Sequence, residues 1–228
     1  MFIVSGDGAF YTLQGEGLSI GRPAVFLRLH HCNLECDWCD AWYTWKKDTP
    51  EFLSERQKWH IPQTAKIIKE VGKTCRLLVI TGGEPLLQQK SIIQLVKLLP
   101  DWEVEIETNG TILPKADLIG RVRFNCSPKL SNSGTHSGKP RIVPEVLRLL
   151  DTTDTVFKFV VRDQRDVAEM ECDFLAYISA AKVMLMPEGT DTATNQAHLQ
   201  NIAEIAVKRG YRVTTRLHVI IWGNTRRT

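Results

Sequence analysis

Three cysteines lie close together in the stretch HCNLECDWCDAWYTW, residues 31–45. Cys32, Cys36 and Cys39 follow the spacing C-x3-C-x2-C. A closed zinc site takes four protein ligands, usually as two separated pairs, and a ferredoxin-type cluster takes four thiolates. Three thiolates at this spacing favour a [4Fe–4S] cluster whose remaining iron is open to a small molecule. The alternatives are a zinc knuckle and three incidental core cysteines.

The remaining cysteines, Cys75, Cys126 and Cys172, stand alone in the sequence, each in or beside an apolar stretch. Isolated cysteines of this kind usually behave as small buried hydrophobic residues. We therefore predict that all three are buried thiols.

The composition predicts one globular domain over residues 1–228, because 43% of the residues are hydrophobic and 24% are charged. The net charge of +3 and the dispersed basic residues do not indicate a nucleic-acid partner. No apolar run approaches the roughly 18 residues of a membrane span, and no signal peptide is evident. Six cysteines without such a signal predict a cytoplasmic protein in a reducing compartment.

Apolar runs rich in β-forming residues alternate with segments of helical length. The predicted strands are residues 24–30, 77–81, 104–108, 123–126, 156–161 and 183–186. The predicted helices are residues 62–71, 90–99, 143–150, 165–174 and 195–209. The alternation indicates a parallel α/β sheet, and about six β/α units favour an incomplete barrel over a doubly wound sheet. Residues 10–17 show neither a helix nor a strand pattern, and residues 131–140 have the composition of a surface loop.

Charged residues interrupt several of the predicted strands. Arg28 and Lys158 have apolar neighbours on both sides, which predicts that they point into the barrel. A charge buried there must be paired or must contact a polar ligand. Glu105 and Glu107 share one face of their strand, and for Glu105 a strand end in water is an equal alternative.

Short motifs follow three of the predicted strands. Gly82-Gly83-Glu84-Pro85 follows the second strand, Ser127-Pro128-Lys129 the fourth, and Met186-Pro187-Glu188-Gly189 the sixth. Successive glycines allow a backbone to approach a ligand closely, and the Glu84 carboxylate could accept from a ligand ammonium group. Each motif alone would be an ordinary turn, but barrel active sites form at the carboxyl ends of the strands.

The cysteine spacing, with Trp38 directly before Cys39, resembles the radical S-adenosylmethionine (SAM) superfamily, and so does the position of GGEP. The resemblance implies an incomplete (β/α)6-type radical SAM barrel with an N-terminal extension. It also implies a [4Fe–4S] cluster that chelates SAM through its open iron and cleaves it to a hydrogen-abstracting radical.

A narrower resemblance covers nearly the whole chain. TLQGEG, the CD after the last cluster cysteine, ETNG, SPK, VFKFVV and the terminal RLHVIIWGN resemble the 7-carboxy-7-deazaguanine synthase family. This family implies a lyase that converts 6-carboxy-5,6,7,8-tetrahydropterin to 7-carboxy-7-deazaguanine, with loss of ammonia, in queuosine biosynthesis. It also implies a homodimer and a flavodoxin- or ferredoxin-like electron donor, with no contact to nucleic acid.

The resemblance assigns roles to individual residues. It implies that the substrate is bound by Leu13, Gln14, Gly15, Arg28 and Thr81, with Gln14, Glu16 and Arg28 as catalytic residues. SAM would be bound by Trp38, Asp40, Gly83, Glu84, Ser127, Pro128, Lys129, Met186, Pro187, Glu188 and Gly189.

One position departs from the family pattern. Family members commonly carry Thr or Ser two residues after the last cluster cysteine, where the hydroxyl ligates Mg2+. Here that residue is Ala41, which has no side-chain oxygen. A magnesium site is therefore in doubt, with Asp40, Thr44 or water as the substitutes.

Two other functions compete with the synthase. QGEG and GGEP also occur in glycyl-radical activating enzymes, although the compact length and the RLH...WGN ending favour the synthase. A non-catalytic iron–sulfur or zinc module would retain the cysteines without cleaving SAM.

Overall fold

The computed structural model of the protein describes residues 1–228, apart from the side chain of Asp7. The strands are β1 (Phe2–Leu13), β2 (Pro23–Leu29), β3 (Gln57–Trp59), β4 (Leu77–Gly82), β5 (Glu103–Thr108), β6 (Arg123–Cys126), β7 (Thr155–Val161), β8 (Val183–Pro187) and β9 (Arg212–Val213). The α-helices are α1 (Pro50–Ser54), α2 (Ile61–Gly72), α3 (Gln89–Lys97), α4 (Pro144–Asp151), α5 (Gln164–Phe174), α6 (Thr192–Arg209) and α7 (Leu217–Trp222).

All nine strands form one sheet in the order β3-β1-β2-β4-β5-β6-β7-β8-β9. The six strands predicted from the sequence pair in parallel from β2 to β8, and β9 extends them. The mostly parallel α/β architecture is therefore confirmed. Parallel pairing places the carboxyl ends of these strands at one end of the sheet, where the motifs identified above follow them.

The five predicted helices are also present, with small shifts at their ends. The largest shift is at α6, which begins earlier than predicted because Asp191 caps it. The Asp191 carboxylate accepts a hydrogen bond from the Thr194 backbone N–H at 2.9 Å. No helix within the described residues is both long enough and apolar enough to cross a membrane.

The N-terminal extension differs from the prediction, because residues 10–13 belong to the long strand β1. This strand pairs antiparallel with β2, placing Phe10 opposite Phe26 and Leu13 opposite Pro23. Its register shifts between Val4 and Ala9, in a segment where Gly8 has a φ of 59°. That irregularity interrupts the side-chain alternation by which a strand is recognised in sequence.

The core lies between the sheet and its helices, and β7 shows how the strands divide their side chains. Phe157, Phe159 and Val161 belong to the main apolar core. Lys158 and Val160 alternate with them and face the opposite side, where both line a pocket.

Only one of the three isolated cysteines is fully buried, so that prediction is wrong for the other two. Cys126 is completely buried at the end of β6, whereas Cys75 is partly buried and Cys172 is exposed. Cys172 lies outside the buried face of α5, which is formed by Val167, Met170 and Phe174 at helical spacing.

Candidate active site

A pocket lies at the carboxyl ends of the parallel strands. Every residue assigned above to substrate, SAM or cluster lines it except Glu84 and Pro128. The tertiary structure therefore brings together segments from the N-terminal loop, the cysteine loop, five further strand ends and the region after β9. Their roles stay predictions, but their common location satisfies the first requirement of an active site.

The three cysteines line one part of the pocket on a loop, residues 30–41, that contains no helix or strand. All are free thiols. Burial raises the pKa of Cys32 to about 12 and of Cys39 to about 11, and it also raises that of Cys36. The thiols are thus neutral unless a cation is bound, and iron coordination would deprotonate them.

The polar segment 131–136 holds the cysteine loop from outside. The Asp37 backbone N–H donates to the Ser133 carbonyl at 2.9 Å, and the Trp38 indole N–H donates to the Asn132 carbonyl at 3.0 Å. At Gly134, with a φ of 58°, an added Cβ would overlap the Asp37 carboxylate. The sequence indicated a surface loop here, but the segment also supports the cysteine loop.

The GGEP motif supports the same loop from the other side. The Gly83 backbone N–H donates to the Leu29 carbonyl at 3.2 Å, and the Glu84 N–H donates to the His31 carbonyl at 2.8 Å. A Cβ at Gly82 would overlap the Leu29 backbone, and one at Gly83 would overlap the His31 carbonyl. The two glycines therefore permit close packing against the cysteine loop, in addition to any ligand contact.

Glu84 has a different environment from the one that the sequence suggested. Its side chain is fully buried, and its carboxylate accepts hydrogen bonds from the backbone N–H groups of Leu86 and Asn109 and from the Thr108 hydroxyl, at 2.7–2.9 Å. Burial raises its pKa despite these donors. Because it lies behind the pocket wall, Glu84 fits the role of orienting GGEP better than that of a direct ligand.

The residues present fit a [4Fe–4S] cluster. Three thiols face a common pocket, the supporting loops leave no room for added side chains at three glycines, and pocket space remains beside the cysteines for a small molecule. Within the described residues, no three His, Cys, Asp or Glu side chains are grouped closely enough to hold a single metal ion. Cys32, Cys36 and Cys39 are the residues that would hold the cluster.

The remaining residues assigned to SAM surround this region. The Lys129 ammonium donates to the Ser127 hydroxyl at 3.0 Å and lies 5.2 Å from the centre of the Trp38 ring. Met186 and Pro187 end β8, and Gly189 follows with a φ of 145°. Pro128 is buried behind the lining residues, so it shapes the turn between Ser127 and Lys129 without facing the pocket.

The N-terminal loop, residues 14–20, lies against the barrel end. The Gln14 amide donates to the Glu107 carboxylate at 3.4 Å, and the Thr81 hydroxyl donates to its other oxygen at 2.6 Å. Arg28 lies beside Thr81 in the β2–β4 register, with its guanidinium 5.7 Å from the centre of the Phe10 ring. Glu107 therefore connects two of the predicted substrate residues, although it was not itself predicted as a site residue.

Buried ion pairs connect this loop to two distant segments. Glu16 is paired with Lys158 of β7 and, at 3.1 Å, with Arg216 just before α7. Burial alone would raise the pKa of Glu16, but Lys158, Arg216 and His218 bring it well below its usual range. Burial likewise opposes the charge on Lys158, whose pKa is nevertheless raised by Glu16 and Glu107.

Glu105 is buried, with 2% of its surface exposed, which resolves the alternative left open by the sequence. It accepts hydrogen bonds from the Ser19 hydroxyl at 2.5 Å and from the Asn125 amide at 2.9 Å, and it pairs with Arg123 at 3.2 Å. Ser19 belongs to the N-terminal loop, so these contacts hold that loop in the barrel interior.

The residues around Ala41 do not fit a protein-bound Mg2+. Ala41 lines the pocket with a side chain that has no oxygen. The Thr44 hydroxyl is fully buried and donates to the Ala41 carbonyl at 2.7 Å. Asp40 is paired with Arg216 at 2.5 Å. Both proposed substitutes from the chain are therefore occupied by other contacts.

The pocket lining includes charged or titratable residues that were not predicted as site residues, among them Glu107, Lys158, Arg216 and His218. A sequence signal existed for Glu107 and Lys158, because both are charged residues inside apolar strands. Arg216 and His218 belong to the terminal RLHVIIWGN motif, which indicated the family but not that these two side chains reach a pocket built by earlier segments.

Comparison with known proteins gives consistent matches. A family model described as the radical SAM superfamily matches residues 27–149, more than half of the chain. A 7-carboxy-7-deazaguanine synthase from Pyrobaculum aerophilum is 37% identical over 221 residues, covering 95% of this chain and 94% of the relative. A synthase of the same name from Halobacterium salinarum is 36% identical, covering 96% and 90%.

The fold gives the same result. The crystal structure of QueE from Escherichia coli superimposes with a TM-score of 0.74 at 26% identity, covering 95% of this chain and 94% of that one. Identity, coverage and fold agree along nearly the full length of the chain. The protein therefore belongs to the 7-carboxy-7-deazaguanine synthase family of the radical SAM superfamily.

Proposed function

We propose that the protein converts 6-carboxy-5,6,7,8-tetrahydropterin to 7-carboxy-7-deazaguanine with loss of ammonia. Its family makes it a radical SAM lyase of 7-deazapurine biosynthesis. The observation that carries the substrate proposal is the arrangement of one pocket, in which Leu13, Gln14, Gly15, Arg28 and Thr81 lie together with the three cysteines.

The substrate carboxylate is assigned to Arg28. A guanidinium binds a carboxylate through two parallel N–H donors, which gives both affinity and orientation. Arg28 lies at the carboxyl end of β2, next to the cysteine loop, so a carboxylate held there is close to the predicted cofactor region. Since the residues around Ala41 do not supply a metal site, this arginine is the principal cation for that carboxylate.

The pterin ring is assigned to the opposite side of the substrate region. The amino edge of a pterin donates hydrogen bonds, and the Glu107 carboxylate is an acceptor positioned by Gln14 and Thr81. The Asn125 side-chain oxygen is a further acceptor, since it is buried and has no hydrogen-bond partner among the described residues. These acceptors would fix the plane of the ring and exclude water from it.

When bound, the cluster and SAM supply one-electron chemistry that removes a hydrogen atom from C6 of the substrate. Cys32, Cys36 and Cys39 would hold the cluster, and Trp38, Ser127, Lys129, Met186 and Gly189 would surround SAM. Glu16 is held by Lys158 and Arg216 as a charged carboxylate at the same pocket, so its part is to maintain the charge and shape of the substrate region.

We also infer that residues 1–228 form a single radical SAM domain, because one sheet includes strands from both ends of the chain. The flavodoxin- or ferredoxin-like electron donor, the homodimer and the cytoplasmic location stay predictions from the sequence and its resemblance.

The direct test is anaerobic turnover of carboxytetrahydropterin by the reconstituted protein with SAM and a reductant, followed by the ultraviolet absorbance of the product. We expect 7-carboxy-7-deazaguanine to form. SAM cleavage without this product would contradict the proposed substrate, whereas no SAM cleavage at all would contradict radical SAM activity.

Arg28→Ala sharpens that test. Loss of a hydrogen-bonded charge partner costs about 1.5–3 kcal/mol, so the substrate KM should rise about tenfold or more while cleavage of SAM without substrate changes little. Arg28→Lys should recover little of the affinity, because an ammonium does not reproduce the fork.

Arg76→Ala is a matched control for the Arg28 variants. The Arg76 guanidinium also lies over an aromatic ring, 5.5 Å from the centre of Trp102, but it is outside the pocket. Its KM should equal that of the unmodified protein. An unchanged KM in both Arg28 variants would give Arg28 a structural role instead.

A further inference from the structure

Arg216 makes an unusual set of contacts for a residue to which the sequence analysis assigned no role. It lies directly before α7, and only 9% of its surface is exposed. Its guanidinium donates to the Glu16 carboxylate at 3.1 Å, to the Asp40 carboxylate at 2.5 Å and to the Gly189 carbonyl at 2.8 Å. One side chain thus bonds to two carboxylates and one backbone carbonyl.

These three partners belong to three separate walls of the pocket. Glu16 is on the N-terminal loop, directly after the residues assigned to the substrate. Asp40 follows Cys39 on the cysteine loop, and Gly189 follows β8 in a segment assigned to SAM. Arg216 therefore joins the N-terminal loop, which is assigned to the substrate, to the cysteine loop and to the segment after β8, which are assigned to the cofactors.

The helix that follows Arg216 is itself docked on the N-terminal loop. The Leu217 backbone N–H donates to the Gly15 carbonyl at 2.9 Å. A Cβ at Gly15 would overlap the His218 ring, so the two segments are in close contact. Any displacement of Arg216 is consequently transmitted to the residues assigned to the substrate.

Charge alone does not account for an arginine at this position. Lys158 already pairs with Glu16, so that carboxylate retains a cation without Arg216. A lysine ammonium could not span the three acceptors, whereas the planar guanidinium offers five N–H donors in a rigid fork. The structural requirement is therefore geometric.

We propose that Arg216 is a positioning residue that fixes the substrate loop against the SAM-binding walls and so keeps hydrogen abstraction coupled to product formation. This inference rests on the proposed function and deepens it by assigning a residue to the alignment of substrate and cofactor. A displacement of about 1 Å between reacting groups costs about 100-fold in rate, so a small change at this junction has a large effect.

The test is Arg216→Lys in the reconstituted holoenzyme, with three measurements: iron content, product formation, and 5′-deoxyadenosine released per product. We expect normal iron content, product formation reduced by about 100-fold, and a reduction of less than about tenfold in SAM cleavage. The ratio of 5′-deoxyadenosine to product should therefore rise about tenfold or more.

Arg209→Lys is the matched control. The Arg209 guanidinium also joins two elements, since it pairs α6 with Glu171 of α5 at 2.6 Å, but it is outside the pocket lining. We expect its ratio to equal that of the unmodified protein. An unchanged ratio in Arg216→Lys, or an equal rise in Arg209→Lys, would overturn the proposal, since either result reduces Arg216 to a general structural residue.

A second variant covers the case in which Arg216→Lys does not fold. Asp40→Asn retains the shape of one partner but weakens its bond to Arg216, so it should raise the same ratio by a smaller factor. An unchanged ratio there would also overturn the proposal. Product formation by the unmodified protein is measured in parallel, so a failure of the proposed function is seen separately as no product in any sample.

Discussion

The two sides of the pocket are held together by different kinds of contact. The cysteine loop is supported mainly by backbone hydrogen bonds from segment 131–136 and from GGEP, with glycines where the chains approach most closely. The N-terminal loop is held by charged side chains, with Glu16 paired to Lys158 and Arg216. On the cofactor side, the cysteine loop therefore depends on glycines that allow close backbone packing. On the substrate side, the N-terminal loop depends on charged side chains.

This difference has consequences for stability and for pH. Backbone hydrogen bonds between neutral groups do not titrate, so this part of the support of the cysteine loop should not vary with pH. Buried ion pairs cost several kcal/mol of desolvation per ion and are strongly destabilising when one partner is removed. The predictions below test whether the two sides fail separately.

The largest expected effect is loss of the cluster when any one of its cysteines is replaced. Cys32→Ala, Cys36→Ala and Cys39→Ala should each abolish cluster loading, because no other cysteine lies on this loop. Cys75→Ala, Cys126→Ala and Cys172→Ala should retain it. Iron content and the brown absorbance of each reconstituted variant are the measurements, and a requirement for Cys126 would refute the three-ligand site.

The second largest effect is expected on the substrate side, where ion pairs hold the N-terminal loop. Lys158→Met removes one partner of a buried ion pair and should lower the free energy of unfolding by about 3 kcal/mol, with Arg216 still present beside Glu16. Urea unfolding of the cluster-free protein at pH 7 measures it. The double variant with Glu16→Gln should recover part of the loss, and a full loss in the double variant would show that the pair is not the cause.

The same pair makes a prediction for pH. The pKa of Glu16 is lowered from its ordinary value of 4.5, so its contribution to stability is present above that value and is lost as the pH falls below it. The pKa of Lys158 is raised from 10.5, so its contribution is lost only above that value. The stability difference between the unmodified protein and Lys158→Met should therefore be constant near neutrality and shrink on acidification.

A smaller effect is expected when a methyl group is added on the cofactor side. Gly83→Ala places a Cβ against the His31 carbonyl and should cost about 1–3 kcal/mol, with reduced cluster loading. Gly120→Ala is the control, because Gly120 has a φ of 72° but nothing within 4 Å of an added Cβ. It should cost about 1–2 kcal/mol because of its positive φ alone, and the variant should keep its cluster. Equal iron content in both variants would argue against the packing role.

The smallest effect concerns magnesium. Turnover should persist in chelated buffer, because Ala41 supplies no oxygen and Asp40 and Thr44 are engaged elsewhere. Ala41→Thr should create or strengthen a response to added Mg2+, since one hydroxyl can complete a set of oxygen ligands made of substrate and water. Turnover of the unmodified protein that stops with chelator and returns with Mg2+ would show that the metal site is intact.

The cofactor side of the pocket was largely predictable from the sequence. Its motifs are short and continuous, and each follows a strand of the parallel sheet, so the strand pattern alone placed Cys32, Gly83 and Ser127 at the same end of the barrel. What the sequence did not indicate was the support behind them. Segment 131–136 has the composition of any exposed loop, and the contacts of Asn132, Ser133 and Gly134 with the cysteine loop follow only from the fold.

The amino-acid sequence by itself determined the order of the six parallel strands β2 and β4–β8 and of the five helices between and after them, the three cysteines and the family resemblance, because each depends on spacing within a short stretch of chain. The tertiary structure alone decided that Glu84 lies behind the pocket, that Cys172 is exposed, and that Arg216 meets Glu16 and Asp40. Ion pairs of this kind join residues far apart in the chain. Their partners are selected by the distances that remain after the barrel has packed, and no local pattern records those distances.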